Sequence, residues 1–344
     1  MTSPHNHAVV IHGAHDLRVE DHPMPQPAPD DVVVAVELGG ICGSDLSYYR
    51  KGAVGDFKVL HPMVLGHEIV GTVSEAGAKA NGVDEGSRVV VDPSSPCGTC
   101  ARCQEGRSNV CERPRFLGSA STNPHTDGGF MSFVTAHRAN LVDIPTGVPS
   151  NMAVFAEPLA VTVHAIKRAG GVAGARILVI GAGPIGSILV AAARRLGADE
   201  IVVTDLDATR LERAAQVGAD TTVLAGTEEL GQDFDLVFEA SGSGVGIADA
   251  LTRVRRAGRV TLIGLPHSAP LSMPIALAIP REIDLIGSFR FNHNEFVDAV
   301  DLISGGLDLS PLHTLTMLAS DAPTAFELAC EPTALKVQLD FVSA

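Results

Sequence analysis

Tryptophan is absent from this 344-residue chain, tyrosine occurs twice, and aromatic residues make up 4%. So few rings leave no stacking platform for single-stranded nucleic acid. Positive charge is also in short supply. Lys and Arg total 25 against 40 Asp and Glu, a net charge of −15 that opposes phosphate backbones and anionic membranes. No apolar run approaches the ~20 residues that span a bilayer. The opening MTSPHNHAVVIHG has no basic segment followed by an apolar one, so the expectation is an untargeted, cytoplasmic protein. Cysteine is scarce too. Six in the whole chain are too few for a disulfide scaffold.

Four of those six stand together, in CGTCARCQEGRSNVC, at Cys97, Cys100, Cys103 and Cys111. Three thiols at three-residue intervals can turn around one point, and a fourth eight residues on closes a tetrahedron. Four soft ligands in a closed set suit a structural Zn²⁺. Disulfides or free thiols are the plainer alternative, and the composition argues against the first.

Two textures divide the chain. Up to about residue 150 it is broken into short Val- and Ile-rich pieces: VVVAVELGG (32–40), MVLGHEIVGTVSEAG (63–77) and SRVVVD (87–92). Gly, Pro and Asp separate them, as in a small barrel or sandwich. NMAVFAEPLAVTVHAIKRAG then reads as one helix with an Asn cap. RILVIG (176–181), IVVTD (201–205), FDLVFEA (234–240) and GRVTLIG (258–264) alternate with helical stretches. That alternation predicts an α/β, doubly wound parallel sheet. The expected division is 1–153, 154–288 and 289–344, with LKVQLDFV returning as a strand to the first domain.

Gly181-Ala-Gly183-Pro184-Ile185-Gly186 follows RILVIG and opens an Ala-rich helix. The first glycine permits the tight turn, the second lets backbone amides approach a pyrophosphate, and the third lets helix and strand pack. A GxGxxG alone is weak in a chain with 35 glycines, but here a strand precedes it and a helix follows. Asp205 ends the next strand, where a carboxylate accepts from ribose hydroxyls and repels a 2′-phosphate. Arg210 stands five residues further, too far along to neutralise one, so NAD is expected over NADP.

Cys42, in GGICGSD, and His67-Glu68, in LGHE, form a mixed ligand set suited to a catalytic zinc with one open position. Glu157, in the AEP turn, is a candidate fourth ligand or holder of a water beside the metal. Glu68 is a candidate ligand or a supporting group behind the ligands.

Motifs in this order resemble the zinc-dependent medium-chain dehydrogenase/reductase family over nearly the whole length, and its polyol dehydrogenase branch in particular. GGICGSDLSYY (39–49), PMVLGHE (62–68), RFLGSA (115–120), FAEPLAVTVHA (155–165), GSFRF (287–291) and KVQL (336–339) carry the likeness. The resemblance implies a GroES-like catalytic domain with a Rossmann NAD domain, and two zinc ions per chain, one catalytic and one structural. It implies hydride transfer from a secondary alcohol to NAD, with zinc acidifying the hydroxyl and Ser44 passing its proton outward. Relatives often carry a histidine where this chain has Ser47, so the proton route is expected to differ. The likeness further places Pro184, Ile185, Leu206, Arg210, Ile263, Gly264, Leu265, Ser288, Phe289 and Arg290 at the cofactor. Tyr48, Phe116 and Arg290 fall at the substrate. A homo-oligomer, tetramer or dimer, is expected on the same ground.

Arg290 bears on the substrate, because a sugar acid needs a local cation in so acidic a protein; the alternative is that it contacts neutral hydroxyls, the cofactor or Glu157. Oxidation of L-idonate at C5 to 5-keto-D-gluconate is the leading expectation, with sorbitol or xylitol as the alternative. Cys330 and His164 are expected to pack in cores, and Arg194 and Arg195 to lie on a solvated helix face. His5, His7 and His12 match no complete ligand set, and His61, His293 and His313 carry no signal. A zinc-free reductase would lack Cys42, His67 and the four-cysteine lobe. A retired dehydrogenase serving as a binding protein would show damage at Gly181–Gly186, Asp205 or a zinc ligand, and none is visible.

Overall fold

The computed structural model describes residues 5–342 apart from 228, 267–270 and 272. Two compact units emerge. One takes in residues up to Glu157, Asn292–Ser304 and the segment from His313 on; the other is Pro158–Phe291 with Gly305–Leu312. The divisions at 157 and 291 lie a few residues past the expected 153 and 288, and 305–312 return to the second unit.

In the first unit one sheet runs in the order Leu141–Asp143, Arg88–Val91, Glu68–Ala76, Asp31–Gly40, Lys336–Asp340, His313–Leu318. Asp31–Gly40 is its spine. Its first half also pairs with Phe133–His137, and its last residues pair with the C-terminal strand. Every second residue of Val32, Val34 and Val36 turns inward onto Val73, Val89, Phe130 and Leu339. Burial of each such side chain contributes about 1.5–3 kcal/mol. Register sets the site: Gly40 pairs with Glu68 on one side and Gln338 on the other.

The expected strand 63–77 is interrupted. Met63–Val64 and Glu68–Ala76 are separate strands because Gly66 takes a left-handed φ of 94°. The expected single helix from residue 151 is likewise two, Ser150–Ala153, capped by Pro149 rather than Asn151, and Ala156–Arg168. Pro158 has no N–H to give the carbonyl four residues back, so a helix holding it must start afresh nearby.

The second unit holds a six-stranded, wholly parallel sheet. Its order is Thr221–Leu224, Glu200–Asp205, Arg176–Ile180, Phe234–Glu239, Val254–Leu262, Asp284–Gly287. Ile177, Leu178, Val179 and Ile180 are all buried, as expected of a strand covered on both faces. Arg195 is exposed, as expected, while Arg194 is half-buried. It donates to the carbonyls of Gly218 and Ala198 and pairs with Asp220, tying helix Pro184–Arg195 to the next turn. Among the described residues no helix is long and apolar enough to cross a membrane.

Candidate active site

Cys42 leaves the strand end in extended backbone and caps the helix Gly43–Lys51. Asp45, at the third helical position, reaches back to accept the Cys42 N–H at 3.0 Å, the reciprocal arrangement of a capping box. Its other oxygen faces the Gly66 N–H at 3.4 Å and His67 Nδ1 at 3.7 Å. The approach to His67 places a carboxylate beside the imidazole but is too long for a hydrogen bond. Asp45 is wholly buried, and burial pushes its carboxyl up. The sequence reading missed it, although an acid three residues after Cys42 is a legible capping signal.

The ligand atoms of Cys42, His67 and Glu68 lie within 4.8 Å of one another. Burial and the carboxylates of Glu68 and Asp45 push the Cys42 thiol up to about 11. Glu157 is also buried, and burial lifts it to about 8, with Cys42 and Glu68 adding to the rise and His67 opposing it. So much acidic functionality in one dry place needs a cation. A thiol, an imidazole whose Nδ1 has no hydrogen-bond partner among the described residues and a carboxylate fit zinc. Part of the charge is met by a residue the sequence did not single out. Lys336 donates to both Glu68 oxygens, at 2.7 and 2.6 Å, from a strand where it is 2% exposed. Burial works against its ammonium, but Glu68 and Cys42 hold its pKa above the ordinary lysine value.

The Phe116 ring stands 5.4 Å from that of His67 and is buried. Tyr48 is buried with its hydroxyl accepting the Ala120 N–H at 2.9 Å. Ser44 lies in the first turn of Gly43–Lys51, half-buried. Ser47 donates to the Ala53 carbonyl at 2.8 Å, so its hydroxyl proton is already committed. Cys330 packs against the margin of the first unit's core, partly buried, with the Arg50 guanidinium donating to its sulfur at 3.0 Å. His12 pairs with Glu20 and His293 with Asp92, each at 2.9 Å.

Cys97, Cys100, Cys103 and Cys111 also converge within 4.8 Å, all as free thiols. Cys100 Sγ lies 3.5 Å from Cys103 and 3.9 Å from Cys111. A tetrahedron of sulfurs about 2.3 Å from one zinc has edges of about 3.8 Å. Backbone N–H groups of Thr99 and Cys100 pull Cys97 down to about 5, while burial pushes Cys103 up to about 12. Thiols so close ionise together only around a cation.

In the second unit Gly181 takes φ 101°, and a Cβ on Gly186 would meet its carbonyl oxygen at 1.8 Å. A Cβ on Gly183 would meet nothing within 4 Å, and the helix it precedes has no side-chain cap. That is an open cradle of amide groups, and it fits a phosphate. Asp205 accepts the Ala182 N–H at 2.6 Å and the Asp207 N–H at 2.9 Å, binding the glycine turn to the next strand. Leu206, Leu265 and Phe289 are exposed apolar residues at the carboxyl ends of strands. Arg210 sits in the first turn of helix Ala208–Gln216. Ile263 and Gly264 donate to the Glu239 carbonyl, and Ser288 Oγ is buried without a hydrogen-bond partner among the described residues. Arg290 has a left-handed φ of 52°, its guanidinium 5.0 Å from the Phe289 ring centre.

Residues 28–146 match the Alcohol dehydrogenase GroES-like domain, and 184–305 match the Zinc-binding dehydrogenase domain. Sorbitol dehydrogenase of Bos taurus is 36% identical over 98% of this chain and 96% of its own. The chain belongs to the zinc-dependent medium-chain dehydrogenases. L-idonate 5-dehydrogenase (NAD(P)(+)) of Escherichia coli is another such relative, 38% identical over 90% of this chain and 91% of that one. The crystal structure of L-idonate 5-dehydrogenase from Escherichia coli superposes with a TM-score of 0.94 at 35% identity, covering 98% of each chain. The GroES-like and Rossmann halves are thus those of a medium-chain dehydrogenase of the polyol and sugar-acid branch. Zinc and a nicotinamide dinucleotide are its cofactors.

Proposed function

We propose that this dehydrogenase oxidises a sugar acid at a secondary alcohol, reversibly, with L-idonate and 5-keto-D-gluconate as the pair. Cys42, His67 and Glu68 would hold the catalytic zinc, with Glu157 completing the set or holding a water beside it. Cys97, Cys100, Cys103 and Cys111 would hold the structural zinc. Bound zinc supplies an acidified hydroxyl, lowering its pKa from near 16 towards ~7. Asp45 sets a carboxylate 3.7 Å from the His67 ring, and Lys336 restrains Glu68. Ser44, two residues past Cys42, receives the substrate proton and passes it outward. Ser47 does not extend that relay, because its proton is held by Ala53.

Gly181, Gly183, Pro184, Ile185 and Gly186 cradle the pyrophosphate, and Asp205 faces the adenosine ribose and favours NAD over NADP. The remaining cofactor wall is Leu206, Arg210, Ile263, Gly264, Leu265, Ser288, Phe289 and Arg290. Tyr48 and Phe116 line the substrate pocket. Arg290 carries the sugar-acid reading: in so acidic a protein a substrate carboxylate needs a local cation, and a guanidinium can hold one bidentately. Sorbitol or xylitol is the second reading, supported by the comparable identity to sorbitol dehydrogenase. A homo-oligomer through the sheet edge is supported by Asp284–Gly287, which among the described residues pairs on one side only and exposes Leu285.

Initial rates of NADH formation from L-idonate, D-gluconate, sorbitol and xylitol test the substrate. A kcat/KM for L-idonate about tenfold above the polyols, ~1.4 kcal/mol, is expected. Preference for a polyol would overturn the sugar-acid reading and leave the zinc and NAD readings standing.

A further inference from the structure

At the carboxyl edge of the parallel sheet, one buried residue serves two loops. Glu239 ends the strand Phe234–Glu239 with none of its surface exposed. Its Oε1 accepts the N–H of Ser241 at 2.9 Å and of Gly242 at 3.1 Å; Oε2 accepts the Gly242 N–H at 3.1 Å. The Ser241 hydroxyl donates to Oε1 as well. Burial pushes this carboxyl up, and those donors pull the other way. Meanwhile its backbone carbonyl accepts from Ile263 at 2.8 Å and Gly264 at 3.0 Å. The side chain thus holds the turn after its own strand. The main chain holds the turn after the neighbouring strand, Val254–Leu262.

These turns are pressed together through glycines. A Cβ on Gly264 would lie 2.2 Å from Gly242 N, and one on Gly242 would lie 2.4 Å from Leu265 O. One on Gly181, in the phosphate turn, would lie 2.9 Å from Ser241 N. Ser243 continues the chain by capping helix Gly244–Arg253, its Oγ accepting the Gly246 N–H at 2.9 Å. With no slack between them, a shift at Ser241–Gly242 is felt at Gly264 and Leu265.

Strand order says which part of the cofactor this concerns. Arg176–Ile180 lies between Glu200–Asp205 on one side and Phe234–Glu239 on the other. In such a sheet a dinucleotide lies across the strand ends, one half on each side of the reversal. Asp205 marks the adenosine half, so Glu239 lies on the nicotinamide side. The geometry points to Glu239 as a positioning residue that sets the nicotinamide half of the cofactor site through Ser241–Gly242 and Ile263–Leu265, without touching the cofactor. This rests on the dinucleotide reading above.

Calorimetric titration with NADH, and with AMP as a probe of the adenosine half alone, tests it in wild type, Glu239→Gln and Glu239→Ala. Glutamine keeps one acceptor oxygen and loses the other; alanine loses both. Expected is a Kd for NADH raised about tenfold in Glu239→Ala and by a smaller factor in Glu239→Gln, with AMP unchanged within about twofold. Equal weakening of both ligands would make Glu239 a general brace of the fold and overturn the proposal. So would NADH binding at wild-type strength in either variant. Should Glu239→Ala fail to fold, Glu239→Gln decides by the same split. A wild-type protein that binds neither ligand would overturn the dinucleotide reading itself, and this inference with it.

Discussion

Lys336 Nζ lies 2.7 and 2.6 Å from the two carboxylate oxygens of Glu68, a residue 268 positions away in the chain. Both side chains are essentially out of contact with water. Breaking such a pair from one side leaves a buried charge uncompensated, at a cost of about 3–5 kcal/mol. In protein stripped of zinc, Lys336→Met is therefore expected to destabilise by about that much in urea unfolding. Adding Glu68→Gln should recover a large part of the loss. Simple additivity of the two substitutions would show that the pair is not coupled.

Gly40 is where the Glu68 carboxylate fits. A Cβ at that position would lie 2.2 Å from Glu68 Oε2. Gly40→Ala is expected to displace Glu68 and to remove one of the two zinc ions, by elemental analysis of purified protein. Activity should fall by about a hundredfold, the size of effect seen when a group supporting a metal ligand is lost. Retention of both zinc ions at full activity would contradict this role for Gly40.

Cys100→Ser should cost the other zinc. Its sulfur has Cys103 and Cys111 as neighbours at 3.5 and 3.9 Å, so one lost ligand opens the tetrahedron. The variant is expected to melt lower and to gain no stability from added zinc, unlike wild type treated with a chelator. An unchanged zinc content would remove the lobe from the list of metal sites.

On the proposed reading Asp205 has two duties that substitution will separate. Asp205→Ser removes the charge that repels a 2′-phosphate, so the NADP-to-NAD ratio of kcat/KM should rise at least about tenfold. It also weakens the bonds to the Ala182 and Asp207 N–H groups. Binding of both cofactors is accordingly expected to weaken in absolute terms. An unmoved ratio would deny Asp205 its part in cofactor choice.

The hydrogen bond from Arg255 holds the Asp235 carboxyl below its usual range, helped by the Arg176 N–H. A depressed carboxyl contributes stability above its unfolded pKa, and loses it as pH falls through the folded value. Both side chains of the pair are partly exposed, so solvent screens the effect. Asp235→Asn should cost about 0.5–1 kcal/mol at neutral pH, and the difference from wild type should fade below about pH 4. A difference that persisted in acid would point to packing instead of charge.

How much of this was legible beforehand follows from distance along the chain. The cysteine lobe and the glycine turn are local, and residue spacing alone carries them; the capping box of Cys42 and Asp45 is as local, but its signal was missed. The alternating strands announced the parallel sheet, because a strand buried on both faces must be apolar at every position. The broken helix at Val154–Phe155 was also local, but the apolar rhythm outweighed the signal of Pro158.

What the sequence by itself determined is the set of chemical groups: two sets of thiol, imidazole and carboxylate donors, a glycine turn after a strand and an acid at the end of the next strand. Only the tertiary structure decided which partners restrain them. Lys336 meets Glu68 because the C-terminal strand and Glu68–Ala76 both pair with Asp31–Gly40, putting Gln338 and Glu68 on either side of Gly40. Asp45 meets His67 because Gly66 turns left-handed. Such contacts are fixed by register and backbone turn, and nothing in the spacing of lysines or carboxylates along a chain encodes register.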